Sequence, residues 1–202
     1  MFATMVRGWR EDWGQGDFPF YYCQIAPYDY DLIASPGTHW TNSAYLREQQ
    51  LKAEQMIPNS GMAVLMDVGM EKGIHPQQKQ VVGERLARLA LAKTYGWEGI
   101  TAEPPYYKGI EIQGNTIVVS FERCKMWINV PHQENSTNFE IAGEDRIFHP
   151  ATAIRNGKTI VVSSEEVPHP VAVRYAFRNY AAGDLFGEDL PVSSFRSDNW
   201  EE

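Results

Sequence analysis

The apolar positions of residues 1 to 97 fall into two alternating patterns. Three stretches repeat at three- and four-residue spacings, the mark of amphipathic helices. In 2–14 the stripe is Phe2, Met5, Val6, Trp9 and Trp13, closed by Gly14 and Gly16. In 42–57 it is Tyr45, Leu46, Gln49, Ala53 and Met56, closed by Pro58 and Gly61, and in 77–95 it is Val82, Leu86, Leu89, Ala90 and Lys93, closed by Gly96. Between them lie two nearly unbroken apolar runs, FPFYYCQIA over 18–26 and Met62 to Met66, which read as strands buried on both faces. Helix, strand, helix, strand, helix with buried strands predicts an α/β unit with a parallel sheet wrapped by helices. Two strands leave such a sheet open at its edges and faces, and a helix face at the second residue has nothing before it to pack against. The pattern therefore creates an expectation of further strands, upstream or in a partner chain.

From residue 98 the helical period stops. Short alternating runs take over: YYKGIEIQ, a Gly114-Asn115 turn, TIVVSFE, KMWINV, FEIAG, Ala151 to Arg155, an Asn156-Gly157 turn, KTIVVSS and VAVRYAF. Asn-Gly between alternating strands is the strongest short hairpin signal. The expected organisation is thus 1–97 as an α/β domain and 98–202 as an all-β, sandwich-like domain. The tail GEDLPVSSFRSDNWEE has few regular features and is expected to cross the surface as ordered coil.

Charge and cysteine content narrow the classes. A net charge of -8 opposes nucleic acid or an anionic membrane as the main partner. The excess is local: residues 98–202 hold 16 acidic and 9 basic side chains, against 10 and 9 in 1–97. No apolar run reaches membrane-spanning length, and the amino terminus lacks a secretory signal pattern. Cys23 and Cys124 stand far apart without metal-ligand spacing, and Cys23 falls in an apolar strand, which favours two buried thiols over a disulfide. The triplet Asn135-Ser136-Thr137 is a glycosylation sequon of the kind chance supplies.

Candidate chemistry gathers after the two strands. Asp67, Glu71 and His75 lie between the second strand and its helix, where open α/β sheets place ligand chemistry. Pro76 reads as the first helical residue, so the helix dipole is expected to help keep His75 neutral, as a general base requires. A surface histidine beside a helix cap fits the same spacing. The loop Pro27 to Trp40 follows the first strand, and Tyr28, His39 and Trp40 are its residues suited to contact a sugar, or to pack onto their own domain. A histidine with a nearby carboxylate is two thirds of a nucleophile triad. The nucleophile is not evident: no G-x-S-x-G elbow, phosphate loop, dinucleotide fingerprint or metal-ligand cluster occurs, so no cofactor is implied.

Several stretches resemble the sialate O-acetylesterases of the SGNH hydrolase superfamily. They are WREDWGQGDFPFYYCQIAPY, YLREQQLKAEQMIPNSGMAVLMDVG, GIHPQQKQVVGERLARLAL, FEIAGEDRIFHPATA, VPHPVAVRYAFRNY and LPVSSFRSD. The Ile74-His75-Pro76 step followed by K-Q-x-V-G-x-R-L is the most specific. The resemblance implies removal of O-acetyl groups from sialic acids or a related acetylated glycan by serine-histidine catalysis. It implies a flavodoxin-like, three-layer α/β/α SGNH domain, here its carboxyl-terminal part, joined to a β-sandwich. His75 becomes the catalytic base, with Asp67 a structural or orienting acid and Glu71 the alternative. The family's nucleophile and oxyanion blocks, G-Q-S-N and G-E-S-N, do not occur here, so the chain alone is expected to be inactive and to need an upstream half. The superfamily often has aspartate two or three residues before the histidine; Gly73 and Lys72 stand there, which leaves a serine-histidine dyad open. Family members commonly act outside the cytoplasm, which implies a secreted or periplasmic setting. Two readings stay beside this one: a non-catalytic glycan-binding or assembly module worked by 98–202, and an esterase of acetylxylan type.

Overall fold

A computed structural model describes residues 1–36, 42–130 and 136–200. His39, Trp40 and Asn135 lie outside the described residues. The first helix, α1 (Phe2–Trp13), ends where Gly14 enters the left-handed region at φ 62 and its N–H donates to the Arg10 carbonyl. Val6 and Arg10 turn inward, whereas Met5, Trp9 and Trp13 of the expected stripe stand exposed. Strands β1 (Phe20–Cys23) and β2 (Ser60–Ala63) pair in parallel, in register Phe20 to Ser60 through Cys23 to Ala63. Both are shorter than their apolar runs. Gln24 prolongs the ladder by donating to the Ala63 carbonyl, and Val64, Leu65 and Met66 run on fully buried.

Helix α2 (Ala44–Met56) buries Ala44, Arg47 and Ala53, while Leu46 and Met56 are exposed. The expected face is therefore rotated, because the core takes an arginine that a hydrophobic stripe cannot register. Helix α3 (Lys79–Leu89) runs into a π-helical turn at Ala90–Thr94. It starts three residues beyond Pro76. Gln78 takes φ -78 and ψ 61 as the Lys79 N–H donates to the Gln77 carbonyl at 2.8 Å, an inverse γ-turn that postpones the helix. His75 consequently sits on an exposed loop and not at the first helical turn, which removes the dipole argument made for it.

The remaining strands pair antiparallel. They are β3 (Tyr106–Gln113), β4 (Thr116–Glu122), β5 (Ile128–Asn129), β6 (Phe139–Ala142), β7 (Phe148–Pro150), β8 (Thr152–Asn156), β9 (Thr159–Ser163), β10 (Ala172–Tyr175), β11 (Phe186–Gly187), β12 (Leu190–Pro191) and β13 (Phe195–Arg196). One sheet has the order β3-β4-β9-β8, with both expected hairpins in it. A second runs β13-β10-β6-β7, and a small third runs β12-β11-β5. The fold is thus mixed α/β with several, mostly antiparallel, sheets.

Alternation in β1 and β2 sends side chains to two sides. Ala63 meets Leu89 of α3 and Ala102, with Tyr21 and Cys23 packed against them. Tyr22, Met62, Val64 and Met66 join a larger cluster that also takes Val119, Ile141, Val162, Val173 and Phe195 from the antiparallel sheets. One apolar interior therefore runs from the parallel pair into the β-rich part. The tail belongs to it: Val192 and Phe195 are buried, and Phe195 stacks on Tyr107 at 4.7 Å and on Tyr175 at 5.5 Å. The expectation of a surface coil fails because residues 190–195 are buried in one unbroken run, flanked by strands only two residues long. Cys23 and Cys124 are free and half-buried, and burial raises both thiol pKa values.

Candidate active site

Parallel pairing puts the carboxyl ends of β1 and β2 side by side, so the loops that leave them meet. Past β2 the chain is held by Arg85 of α3. Its two terminal nitrogens donate to the Asp67 carboxylate at 2.7 and 2.6 Å, and one also donates to the Val64 carbonyl at 2.8 Å. The guanidinium is almost sealed, with 8% of the Arg85 side chain exposed and 19% of Asp67. Two charge-assisted bonds in fork geometry make this the firm base of the His75 loop. The Gly69 backbone then presses on Pro27 of the first loop: a Cβ there would sit 2.8 Å from the Pro27 nitrogen. The Asp29 N–H donates to the Glu71 carbonyl at 3.3 Å, and the Gly183 N–H donates to the Met66 carbonyl at 2.9 Å.

A third segment, 176–180, closes against these two, and Arg47 is what shapes it. Its side chain is fully buried and donates to the carbonyls of Ala176, Arg178 and Asn179, to Ser43 Oγ and to Ser194 Oγ. Burial lowers its pKa to about 10, so it remains charged at neutral pH. Among the described residues no carboxylate forms an ion pair with it, and carbonyl dipoles carry the compensation. Asn179 ties the segment to both ends of the loop after β1, its side-chain oxygen accepting from the Ser43 N–H at 2.8 Å and its carbonyl from the Tyr28 N–H at 3.3 Å.

The three segments enclose an open cleft of about 440 Å³. Asp29, Asp31, Asn42, Glu71, Arg178, Asn179 and Tyr180 line it. A second hollow of about 440 Å³ lies under α1, bounded by Asp17 and Pro58, at the amino ends of the strands. Ligands of open α/β sheets bind outside the carboxyl ends, which selects the first.

The sequence candidates are distributed as follows. Glu71 lines the cleft. His75 is exposed four residues further along the same loop, and among the described residues no hydrogen bond reaches its imidazole. Asp67 is engaged by Arg85 through both oxygens. Tyr28 is 7% exposed and stacks edge-on with Tyr30 at 5.0 Å, so its ring packs inward and its backbone serves the cleft. The residues that sequence reasoning did not assign to a site, Arg178, Asn179 and Tyr180, come from more than a hundred positions away; their only signal was that they end the resembling stretch VPHPVAVRYAFRNY. Arg85 did carry one, as the arginine of K-Q-x-V-G-x-R-L. Among the described residues no three His, Cys, Asp or Glu side chains gather to hold a metal ion.

No family model matches the chain. Over 159 residues it is 30% identical to the sialate O-acetylesterase of Rattus norvegicus and, equally, to that of Mus musculus, covering 70% of this chain and 28% of each relative. The crystal structure of a carbohydrate acetylesterase from Xanthomonas citri superposes with a TM-score of 0.86 at 36% identity, covering 98% of this chain and 45% of that one. The chain therefore spans less than half the length of the relatives it matches.

Proposed function

We propose that this chain, which belongs to the sialate O-acetylesterase family, forms the part of a sugar O-acetylesterase that holds the acetylated sugar and supplies the general base. The observation that carries the reading is the loop after β2. It leaves the carboxyl end of a parallel strand, is clamped by Asp67 and Arg85, contributes Glu71 to a polar cleft, and exposes His75 to solvent four residues further on.

In this reading His75 accepts the proton of a serine hydroxyl as its oxygen attacks the acetyl carbonyl. It returns that proton to the departing sugar oxygen, then draws a proton from the water that attacks the acyl-serine and passes it to the serine oxygen as acetate leaves. The serine and the oxyanion donors belong to the portion of the relatives that this chain does not match. Asp67 is the structural acid, its oxygens committed to Arg85, which leaves Glu71 or no carboxylate at all to orient the imidazole. Residues 1–97 act as the carboxyl-terminal part of an SGNH domain and 98–202 as its β-sandwich companion. The sugar is a sialate, as named for the rat and mouse relatives, or an uncharged acetylated glycan.

The test is acetate release from acetylated sugars by the 202 residues alone and by the chain fused to the complementary part of the Xanthomonas citri enzyme. The chain alone is expected to be inactive and the fusion active, with His75→Gln lowering the rate of the fusion by at least about a thousandfold. Activity from the isolated chain, or a His75→Gln fusion within tenfold of the parent, overturns the reading. Glycan binding without hydrolysis in any form favours the non-catalytic module.

A further inference from the structure

The pairing of β1 with β2 ends at Gln24 and Ala63, with Val64, Leu65 and Met66 still to come before the loop that carries His75. Those three residues are gripped from outside the sheet. Arg85 of α3 donates to the Val64 carbonyl at 2.8 Å, and from the β-rich part the Gly183 N–H donates to the Met66 carbonyl at 2.9 Å. We propose that segment 181–185 is a positioning element for the His75 loop, with Gly183 its point of contact, so that residues 98–202 help set where the base stands. This rests on the reading of His75 as the base.

The contact is too close for any side chain. A Cβ on Gly183 would lie 2.6 Å from Met66 Cβ, 3.1 Å from its carbonyl carbon and 3.2 Å from its carbonyl oxygen. Met66 is fully buried, and a close-packed interior passes a push along the backbone toward Asp67. The segment that pushes is itself held firmly. Tyr175, fully buried at the end of β10, accepts from the N–H groups of Asp184 at 3.0 Å and Leu185 at 2.9 Å, and donates to Asp184 Oδ1 at 3.2 Å. Ser136 Oγ donates to the same carboxylate at 2.8 Å, and Asn138 Nδ2 donates to the Ala182 carbonyl at 2.8 Å. A buried network satisfied in this way is stiff enough to place its neighbour. Past Asp67 the loop's backbone bonds are long: Val68 N–H to the Leu65 carbonyl at 3.3 Å, Gly73 N–H to the Met70 carbonyl at 3.4 Å and Asp29 N–H to the Glu71 carbonyl at 3.3 Å. Its placement therefore follows its root.

Three variants test this. Gly183→Ala sets a Cβ against Met66, Tyr175→Phe strips the Asp184 and Leu185 N–H groups of their acceptor, and Val162→Ala, the control, costs stability in the core of the β3-β4-β9-β8 sheet. On the 202-residue chain the amide chemical shifts of Met70 to His75 are expected to move in the first two variants and to stay in the control. In the fused enzyme Gly183→Ala is expected to lower kcat about tenfold to a hundredfold with KM within about twofold, as a misplaced base requires. Val162→Ala, assayed well below its melting temperature, is expected to keep the parent kcat. Unmoved shifts over Met70 to His75 in both test variants overturn the proposal. So does a Gly183→Ala kcat within about twofold of the parent, or an equal loss in the control. Where Gly183→Ala does not fold, Tyr175→Phe decides by the same two readings. Moved shifts in a chain whose unmutated fusion hydrolyses no acetyl ester uphold the hold on the loop and refute the esterase reading.

Discussion

Replacing Asp67 by alanine separates a structural role from a catalytic one. In the native chain both Asp67 oxygens accept from Arg85 at 2.7 and 2.6 Å, and only 8% of the arginine side chain is exposed. Asp67→Ala leaves that guanidinium with the Val64 carbonyl and no counter-charge. Removing one partner of a buried pair costs about 3–5 kcal/mol, and the partial exposure of Asp67 places this case at the lower end, about 3 kcal/mol. For a chain of this length each kcal/mol moves Tm by about 2–4 °C, so the melting point is expected to fall by about 6–12 °C. Arg85→Met in the same background takes the orphaned charge away. The double variant is therefore expected to regain most of the loss, since an apolar pair of similar volume is often as stable as a buried ion pair. Calorimetry or far-ultraviolet dichroism on the single and double variants closes the cycle. A Tm within 1 °C of the parent for Asp67→Ala, or a double variant no better than the single, would refute the reasoning and return Asp67 to candidacy as the acid behind His75.

Three further outcomes are expected. Gly69→Ala forces a Cβ into the Pro27 backbone, so the two loops must part; a loss of about 1–3 kcal/mol and weakened sugar binding at the cleft are expected by thermal melts and titration. Phe195→Ala empties a site 4% exposed and bounded by Tyr107, Phe121, Phe139 and Tyr175, and denaturant unfolding should show about 3–5 kcal/mol of destabilisation. Tyr22 and Tyr175 have phenol pKa values raised first by burial, so the folded chain holds those protons more tightly than the unfolded one. Their stabilisation is present below the unfolded value of 10.0 and declines as pH rises above it. Phenolate absorbance should accordingly step up together with the loss of dichroism; ionisation of all tyrosines while the fold stays intact would contradict this.

The hairpins were legible because their turns are chemically marked: Gly114 and Gly157 take φ 64 and 60, conformations in which glycine has no side chain to clash. The strand-loop-helix unit around His75 was legible from the unbroken run Met62 to Met66. Its helix start was not, since proline is as compatible with the loop that precedes the γ-turn as with a first helical turn. Helix faces were misjudged where cations go inside. Arg47 and Arg85 are buried because carbonyls and a carboxylate receive them, and those partners lie elsewhere in the chain. The cleft was half legible: Glu71 stood beside His75, but Arg178, Asn179 and Tyr180 reach it only through the return of the chain after β10.

The tail also sets an order of events during synthesis. Gln24 Nε2 donates to Ser193 Oγ at 2.7 Å, Arg47 Nε to Ser194 Oγ at 2.9 Å, and Arg196 engages Glu48 across 148 positions. The segments that frame the cleft therefore wait, incompletely bonded, until Ser193, Ser194 and Arg196 have left the ribosome. Loop closure over such spans makes for slow folding and long exposure of unfinished sheet edges. A nascent chain arrested before Ser193 is the form in which aggregation or chaperone capture should concentrate.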